Sequence, residues 1–162
     1  FLDEWTEKHD AMVEARTKEL KARGLVTRTE DEGEFKLEGR LATLAGKPDV
    51  VGLDDAGQAE VYDQKSGKRR KSDKEQVRIY MFALPLTWLG DRPIRGYVEY
   101  KDGLAPVEPL TDADRRRIAD AVAKVAGEEA PERVPSAAEC RYCKIANCPD
   151  RVTESKGSTD AF

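Results

Sequence analysis

The stretch "AEVYDQK" at 59–65 constrains this chain more than any other. Its first four residues suit a buried strand, and the turn-forming "DDAGQ" stands just before it. Side chains alternate faces along a strand, so Asp63 and Lys65 share one face while Gln64 points to the other. A core strand cannot carry an unpaired charge at low cost. Its outer end must therefore either leave the core as a functional rim or close on itself as an ion pair. Both readings are open from these seven residues alone.

The flanking sequence supplies elements on either side. Leu2, Trp5, His9, Met12, Val13, Arg16 and Leu20 recur at helical spacing, which predicts a helix over 2–23 with Gly24 as its C-cap. "LVTRTE" and "EFKLEG" read as strands with "DEGE" as the turn between them. "TLAGKPDVVGLD" follows, and across "DDAGQ" it makes a hairpin with "AEVYDQK". Ser72 or Asp73 caps a helix over 73–84 that Pro85 stops. "IRGYVEY" is a further strand with "KDG" as its turn, and Thr111 or Asp112 caps an exposed helix to about Gly127. The Pro-containing linker "EEAPERVPSAAE" leads to the cysteines. Strands and helices are interspersed, so the expected fold is α/β, a mixed central sheet flanked by helices. At 162 residues the chain suits a single domain, 1–162, with a C-terminal cysteine segment at 138–152.

Charged residues make up 37% and the formal net charge is −4, so the chain is no polycation and contact with nucleic acid needs a local basic patch. No apolar run is long enough to span a bilayer, and no signal peptide is recognisable, so no membrane partner is expected.

The candidate chemistry gathers around the strand end. Asp49 stands at the start of the apolar "VVGL", fourteen residues before Asp63, and the hairpin brings the two carboxylates to one end of the sheet. Two carboxylates on one rim suit Mg2+ or Mn2+, with the Gln64 main-chain carbonyl as a further oxygen donor. Lys65 beside them suits alignment of an attacking water or stabilisation of charge on a phosphate. Gln76 and Tyr80 are four apart on one helix face and could contact substrate or position water; Tyr80 equally suits the core. His9, the only histidine, lies on the apolar stripe of the first helix, as a core histidine or as a ligand if that helix packs beside Asp49. Lys68, Arg69, Arg70, Lys71, Lys74 and Arg78 surround the site in sequence, either as a solvated charge run or as a local attraction for DNA phosphates.

Cys140, Cys143 and Cys148 are the only cysteines, spaced C-x2-C-x4-C. An odd, crowded set without a secretion signal favours a metal site in a reducing compartment over disulfides. A tetrahedral site needs a fourth ligand.

Taken in order, the helix histidine, "GKPDVV", "EVYDQKSGK" and "QVRIY" resemble the PD-(D/E)xK nuclease superfamily. The resemblance runs from His9 to Cys148 and is strongest to the RecB-like branch, with the AddB nuclease domain and the CRISPR-associated iron–sulfur exonucleases. It implies a restriction-endonuclease-like core and metal-dependent DNA hydrolysis, in which Asp49, Asp63 and His9 bind metal and Lys65 is catalytic. Gln76 and Tyr80 correspond to the motif after that core. It also implies a structural [4Fe–4S] cluster on Cys140, Cys143 and Cys148. The fourth ligand would be a cysteine upstream of Phe1, since "FLDEW" resembles the sequence that follows that cysteine in these relatives. Zinc is the alternative metal, and a water, a carboxylate or His9 would complete a three-cysteine site. The expected activity is a DNA exonuclease on single-stranded DNA, in a bacterial cytoplasm or, if phage-encoded, in the host's. The alternative is a non-catalytic DNA-binding scaffold of the same fold with a zinc site.

Overall fold

The strand expected at 59–65 forms at the centre of the larger of two sheets. The computed structural model describes residues 2–127, 129 and 134–152. It runs α1 (Leu2–Ala22), β1 (Val26–Thr29), a 3-10 turn (Glu30–Glu32), β2 (Phe35–Glu38), β3 (Thr43–Gly46), β4 (Val50–Leu53), β5 (Ala59–Lys65), α2 (Asp73–Ala83), β6 (Ile94–Tyr100), β7 (Gly103–Val107), α3 (Asp112–Ala126) and α4 (Ala137–Tyr142). Five strands make one sheet in the order β1-β4-β5-β6-β7, and β2 and β3 make a separate antiparallel ribbon. β5 and β6 are parallel, connected through α2; the other neighbours in the large sheet pair antiparallel. This is the mixed α/β sheet with flanking helices that the sequence predicts. Chain contacts divide the protein into two compact units, Phe1–Ala126 and Gly127–Phe162. No described helix is long and apolar enough to cross a membrane.

β5 is buried along its length except at Lys65, as expected of a strand covered on both faces. On one face Ala59 and Val61 join Val77, Met81 and Leu84 of the α2 region and Val98 of β6 in the main apolar core. On the other, Tyr62 and Val50 meet Leu20 and Leu25 from α1 and the turn after it. That turn is closed by Gly24 at φ +84°, and Leu25 N–H donates 3.0 Å to the Leu20 carbonyl. This is the glycine cap expected there, with its apolar contact between Leu20 and Leu25. α2 rides very close to the sheet over Gly96 of β6. A Cβ at that position would stand 2.5 Å from both Val77 Cγ1 and Met81 Sδ.

Three features differ from the sequence reading. "DEGE" does not link two neighbouring strands: the chain makes a 3-10 turn and leaves the sheet, so β1 pairs with β4 and β2 with β3. "TLAGKPDVVGLD" divides around Pro48 into β3 and β4, of which β4 makes the expected hairpin with β5. β7 was not anticipated, because "GLAPV" carries Gly103 and Pro106; it survives as a strand at the sheet edge, where proline is tolerated. At the helix starts, Thr111 is the cap of α3, its Oγ1 accepting from Asp114 N–H at 3.1 Å. Ser72 holds the cap position of α2 without a side-chain bond. The expected linker over 128–139 lies partly outside the described residues.

The Gly96 approach is open to test. Gly96→Ala forces Val77 and Met81 to move, and overpacking of this kind should lower the melting temperature by roughly 3–8 °C. An unchanged melting temperature in a calorimetric scan would contradict the packing of α2 on β6.

Candidate active site at the end of the central strands

The β4–β5 register sets Val50 opposite Tyr62, which leaves Asp49 and Asp63 together at the same end of the hairpin. Asp49 Oδ2 accepts the Gln64 main-chain N–H at 2.7 Å, a bond that ties it across the strand ends. His9 of α1 reaches the same oxygen, Nε2 at 3.3 Å, and its Nδ1 stands 3.6 Å from Asp10 Oδ1. Asp63 Oδ2 lies 2.8 Å from Lys65 Nζ. This is an ion pair by distance, but that oxygen has no aligned hydrogen bond. Lys65 Nζ donates to Gln76 Oε1 at 2.9 Å, Gln76 Nε2 donates to Tyr80 OH at 2.6 Å, and Tyr80 OH donates to the Lys47 carbonyl at 3.3 Å. The two readings of Tyr80 merge: its ring packs edge-on against Phe35 in the core while its hydroxyl anchors the chain of contacts that ends on Lys65.

His9, Asp49, Asp63, Gln64, Lys65 and Gln76 line a cleft of about 560 Å³, with Tyr80 behind Gln76. Burial pushes the Asp63 carboxyl up to about 6, with Lys65 pulling the other way and Asp49 and Asp73 adding to the rise. Burial also pushes the Tyr80 phenol up to about 12, so it stays a neutral donor at physiological pH.

The expected basic patch is narrower than its sequence. Lys68 and Arg70 line the cleft. Arg69 instead pairs with Asp102 at 2.8 Å and lies 4.5 Å over the Tyr100 ring. Arg78 pairs with Glu75 at 2.8 Å, and neither Lys71 nor Lys74 lines the cleft. Sequence reasoning missed Asp73 as part of the site. It lines the cleft, buried, its Oδ2 accepting Arg70 N–H and Tyr100 O–H at 2.8 Å each. A carboxylate in a first helical turn reads as a cap, and no local signal marks one that folds back on the preceding loop.

Among the described residues no three His, Cys, Asp or Glu side chains stand together as a group able to hold a metal ion. Mg2+ does not need one: it binds through one or two carboxylates and completes its shell with waters and substrate phosphate. The buried Asp63 carboxylate, its Oδ2 paired with Lys65 at 2.8 Å without an aligned hydrogen bond, fits that requirement with Asp49 beside it. Asp49, the Gln64 main chain and His9 are at hand.

The cysteines do not fit theirs as placed. Cys140 is buried, Cys143 exposed and Cys148 half-buried. The segment is organised by a capping box of Ser136 and Glu139 and by Arg151, which donates to the Cys140 and Cys143 carbonyls at 3.2 and 3.1 Å. The expected knuckle is therefore not assembled around its three thiols.

The raised Asp63 pKa carries a sign. The ionised form is disfavoured in the fold, so its destabilisation is absent below about pH 4 and fully present above about pH 6. Metal-free Asp63→Asn should therefore be more heat-stable than the parent at pH 8, by up to roughly 3 kcal/mol, with the gain vanishing toward pH 4. Melting curves at the two pH values check this; a variant less stable at pH 8 would contradict the burial of an ionised Asp63.

A family model described as the PD-(D/E)XK nuclease superfamily matches residues 1–148, a span that takes in His9, both aspartates, Lys65, Gln76, Tyr80 and all three cysteines. The crystal structure of SSO0001 is similar in fold, with a TM-score of 0.55 and 19% identity, over 92% of this chain and 70% of that one. No curated protein sequence matches the chain. The match across almost the whole sequence, on a sheet that sets two aspartates and a D-x-K lysine at one end, shows that the chain belongs to the PD-(D/E)XK nuclease superfamily.

Proposed function

We propose that this protein is a Mg2+- or Mn2+-dependent deoxyribonuclease that acts as an exonuclease on single-stranded DNA. Membership of the superfamily implies metal-dependent hydrolysis of phosphodiester bonds in a nucleic acid. The observation that carries the finer reading is the convergence of Asp49, Asp63 and Lys65 on one cleft. A cleft with Lys68 and Arg70 in its wall suits a strand end, and a chain of 162 residues has little room to encircle a duplex.

Asp49 and Asp63, with the Gln64 carbonyl and His9, would hold the divalent ion, which when bound supplies Lewis-acid activation of water and neutralises charge at the phosphate. Lys65 aligns the attacking water and stabilises the charge that builds on the phosphoryl oxygens. Its ammonium donates to Gln76, a contact that keeps it at the cleft when Asp63 turns to the ion. Gln76 is in turn fixed by Tyr80, whose phenol stays neutral and so offers Lys65 no competing negative charge. Lys68 and Arg70 hold flanking phosphates, and the phosphorus–O3′ bond breaks in line with the incoming water.

The spacing of Cys140, Cys143 and Cys148 supports a structural [4Fe–4S] cluster, with zinc as the alternative, on a rearranged C-terminal segment. No catalytic step depends on it. Iron with acid-labile sulfide in anaerobically purified protein is the expected result; stoichiometric zinc without sulfide would assign the alternative metal.

Lys65→Ala should lower cleavage of labelled single-stranded DNA in Mg2+ at least about a hundredfold, with DNA affinity within a factor of about three. Retained cleavage would remove Lys65 from the mechanism. Circular single strands should resist the parent enzyme; their degradation would assign endonuclease action. If the parent, at stoichiometric concentration, shows no degradation that EDTA abolishes, the chain is a non-catalytic scaffold.

A further inference from the structure

We infer that Arg16 and Glu99 form a positioning clamp for the metal site, fixing α1 on the sheet so that His9 meets Asp49. This rests on the reading of His9 as a metal ligand. His9 and Arg16 are seven residues apart and share one stripe of α1, and Arg23, seven further on, stands in the turn just past its end. Each meets an acid of the sheet region. His9 Nε2 stands 3.3 Å from Asp49 Oδ2. Arg16 grips Glu99 of β6 through Nε and Nη2, at 3.0 and 2.8 Å. Arg23 grips Glu60 of β5 through Nη1 and Nη2, at 3.1 and 2.8 Å.

Among the described residues the apolar packing under α1 is sparse near His9: the buried set is Leu20, Leu25, Val50 and Tyr62, with Leu20 in the last turns of the helix and Leu25 past its end, and Val13 joins it only partly buried. Burial is also non-directional, so it permits the helix to slide or roll. A bidentate fork does not permit it. The Arg16 fork is the one nearer the site, two turns or about 10 Å from His9 along the axis. The pair is largely withdrawn from solvent, with side chains 14% and 17% exposed. The Arg16 guanidinium also lies 4.8 Å over the Tyr62 ring, which stacks on Tyr97.

The clamp reaches the catalytic strand through Gln64. Glu99 Oε2 accepts Gln64 Nε2 at 3.0 Å. Gln64 stands between Asp63 and Lys65, and its main-chain N–H holds Asp49. Orienting the amide toward Glu99 leaves Gln64 Oε1 buried without a partner. An unmatched buried acceptor is destabilising, and a buried ion pair adds little stability over apolar residues of similar volume. Stability alone would not select this set. Its effect is geometric: it joins α1, β5 and β6 at the residue between the two that do the chemistry.

The test is a double-mutant cycle between the clamp and His9, read on Mn2+ affinity by calorimetry. Arg16→Met with Glu99→Gln removes both charges together and keeps an acceptor for the Gln64 amide. Because His9 is the only histidine, its imidazole gives one pair of ring C–H resonances whose broadening by Mn2+ reports their distance from the ion. The clamp variant should keep its melting temperature within a few degrees, bind Mn2+ about tenfold more weakly, and lose most of the His9 broadening. In a His9→Ala background the same pair of changes should alter affinity less than about twofold. Unchanged affinity in the parent background, or an equal loss in both backgrounds, overturns the clamp. If His9→Ala alone binds Mn2+ as the parent does, the assignment of His9 fails instead, and the inference with it. Arg16→Lys, which keeps the charge and breaks the fork, is read in the same cycle if the double variant does not fold.

Discussion

Asp63 is a carboxylate with 1% side-chain exposure, and the cation beside it, Lys65 at 2.8 Å, projects from the same face of the same strand. Two charges at the end of a core strand hold only if each finds further partners, and the local architecture supplies them. Gln76 of α2, itself bonded to Tyr80, accepts from the ammonium; Asp49, across the hairpin, shares the rim. What remains is a buried carboxylate whose Oδ2 meets Lys65 without an aligned hydrogen bond and whose pKa is pushed upward. A divalent ion meets both needs at once, since it replaces the lost solvation and favours the ionised form. The site is thus held in a state that costs stability until cation and substrate arrive, the usual relation between function and fold.

The two faces of the sheet divide the work. Beneath α2 the contacts are apolar and close, to the point that Gly96 has no room for a side chain. That face fixes where Lys65, Gln76 and Tyr80 stand relative to β5. Beneath α1 the apolar core is small and the helix is tied down by arginine–glutamate forks. That face fixes where His9 stands relative to Asp49. The His9–Asp49 contact and the Lys65–Gln76–Tyr80 chain of contacts are therefore held by different physics on the two faces of the sheet.

Much of this was legible in sequence because it rests on local rules. Strand alternation put Asp63 and Lys65 together, the hairpin turn brought Asp49 alongside, and helical spacing joined Gln76 to Tyr80 and placed His9 on the sheet-facing stripe. What was not legible depends on long-range partners. Nothing near Arg69 reveals that Asp102 claims it, while Arg78 is taken by Glu75 one helical turn away, so the basic run promised more cations than the cleft receives. Asp73 looked like a cap because its partner Tyr100 is twenty-seven residues away. β7 was hidden by Gly103 and Pro106, residues that an edge strand accepts and a central one rejects. The cysteine spacing announced a metal site, but spacing gives proximity in the chain, not the convergence of thiolates, and the C-terminal segment is ordered by Ser136, Glu139 and Arg151 instead.

The most direct test of the account is a crystal of the protein soaked in Mn2+ and measured at the manganese absorption edge. An anomalous peak bounded by Asp49 and Asp63, with Lys65 turned toward the open side of the ion, is the predicted result. Manganese bound elsewhere with that rim empty, or Asp63 still paired to Lys65 at saturating Mn2+, would contradict it.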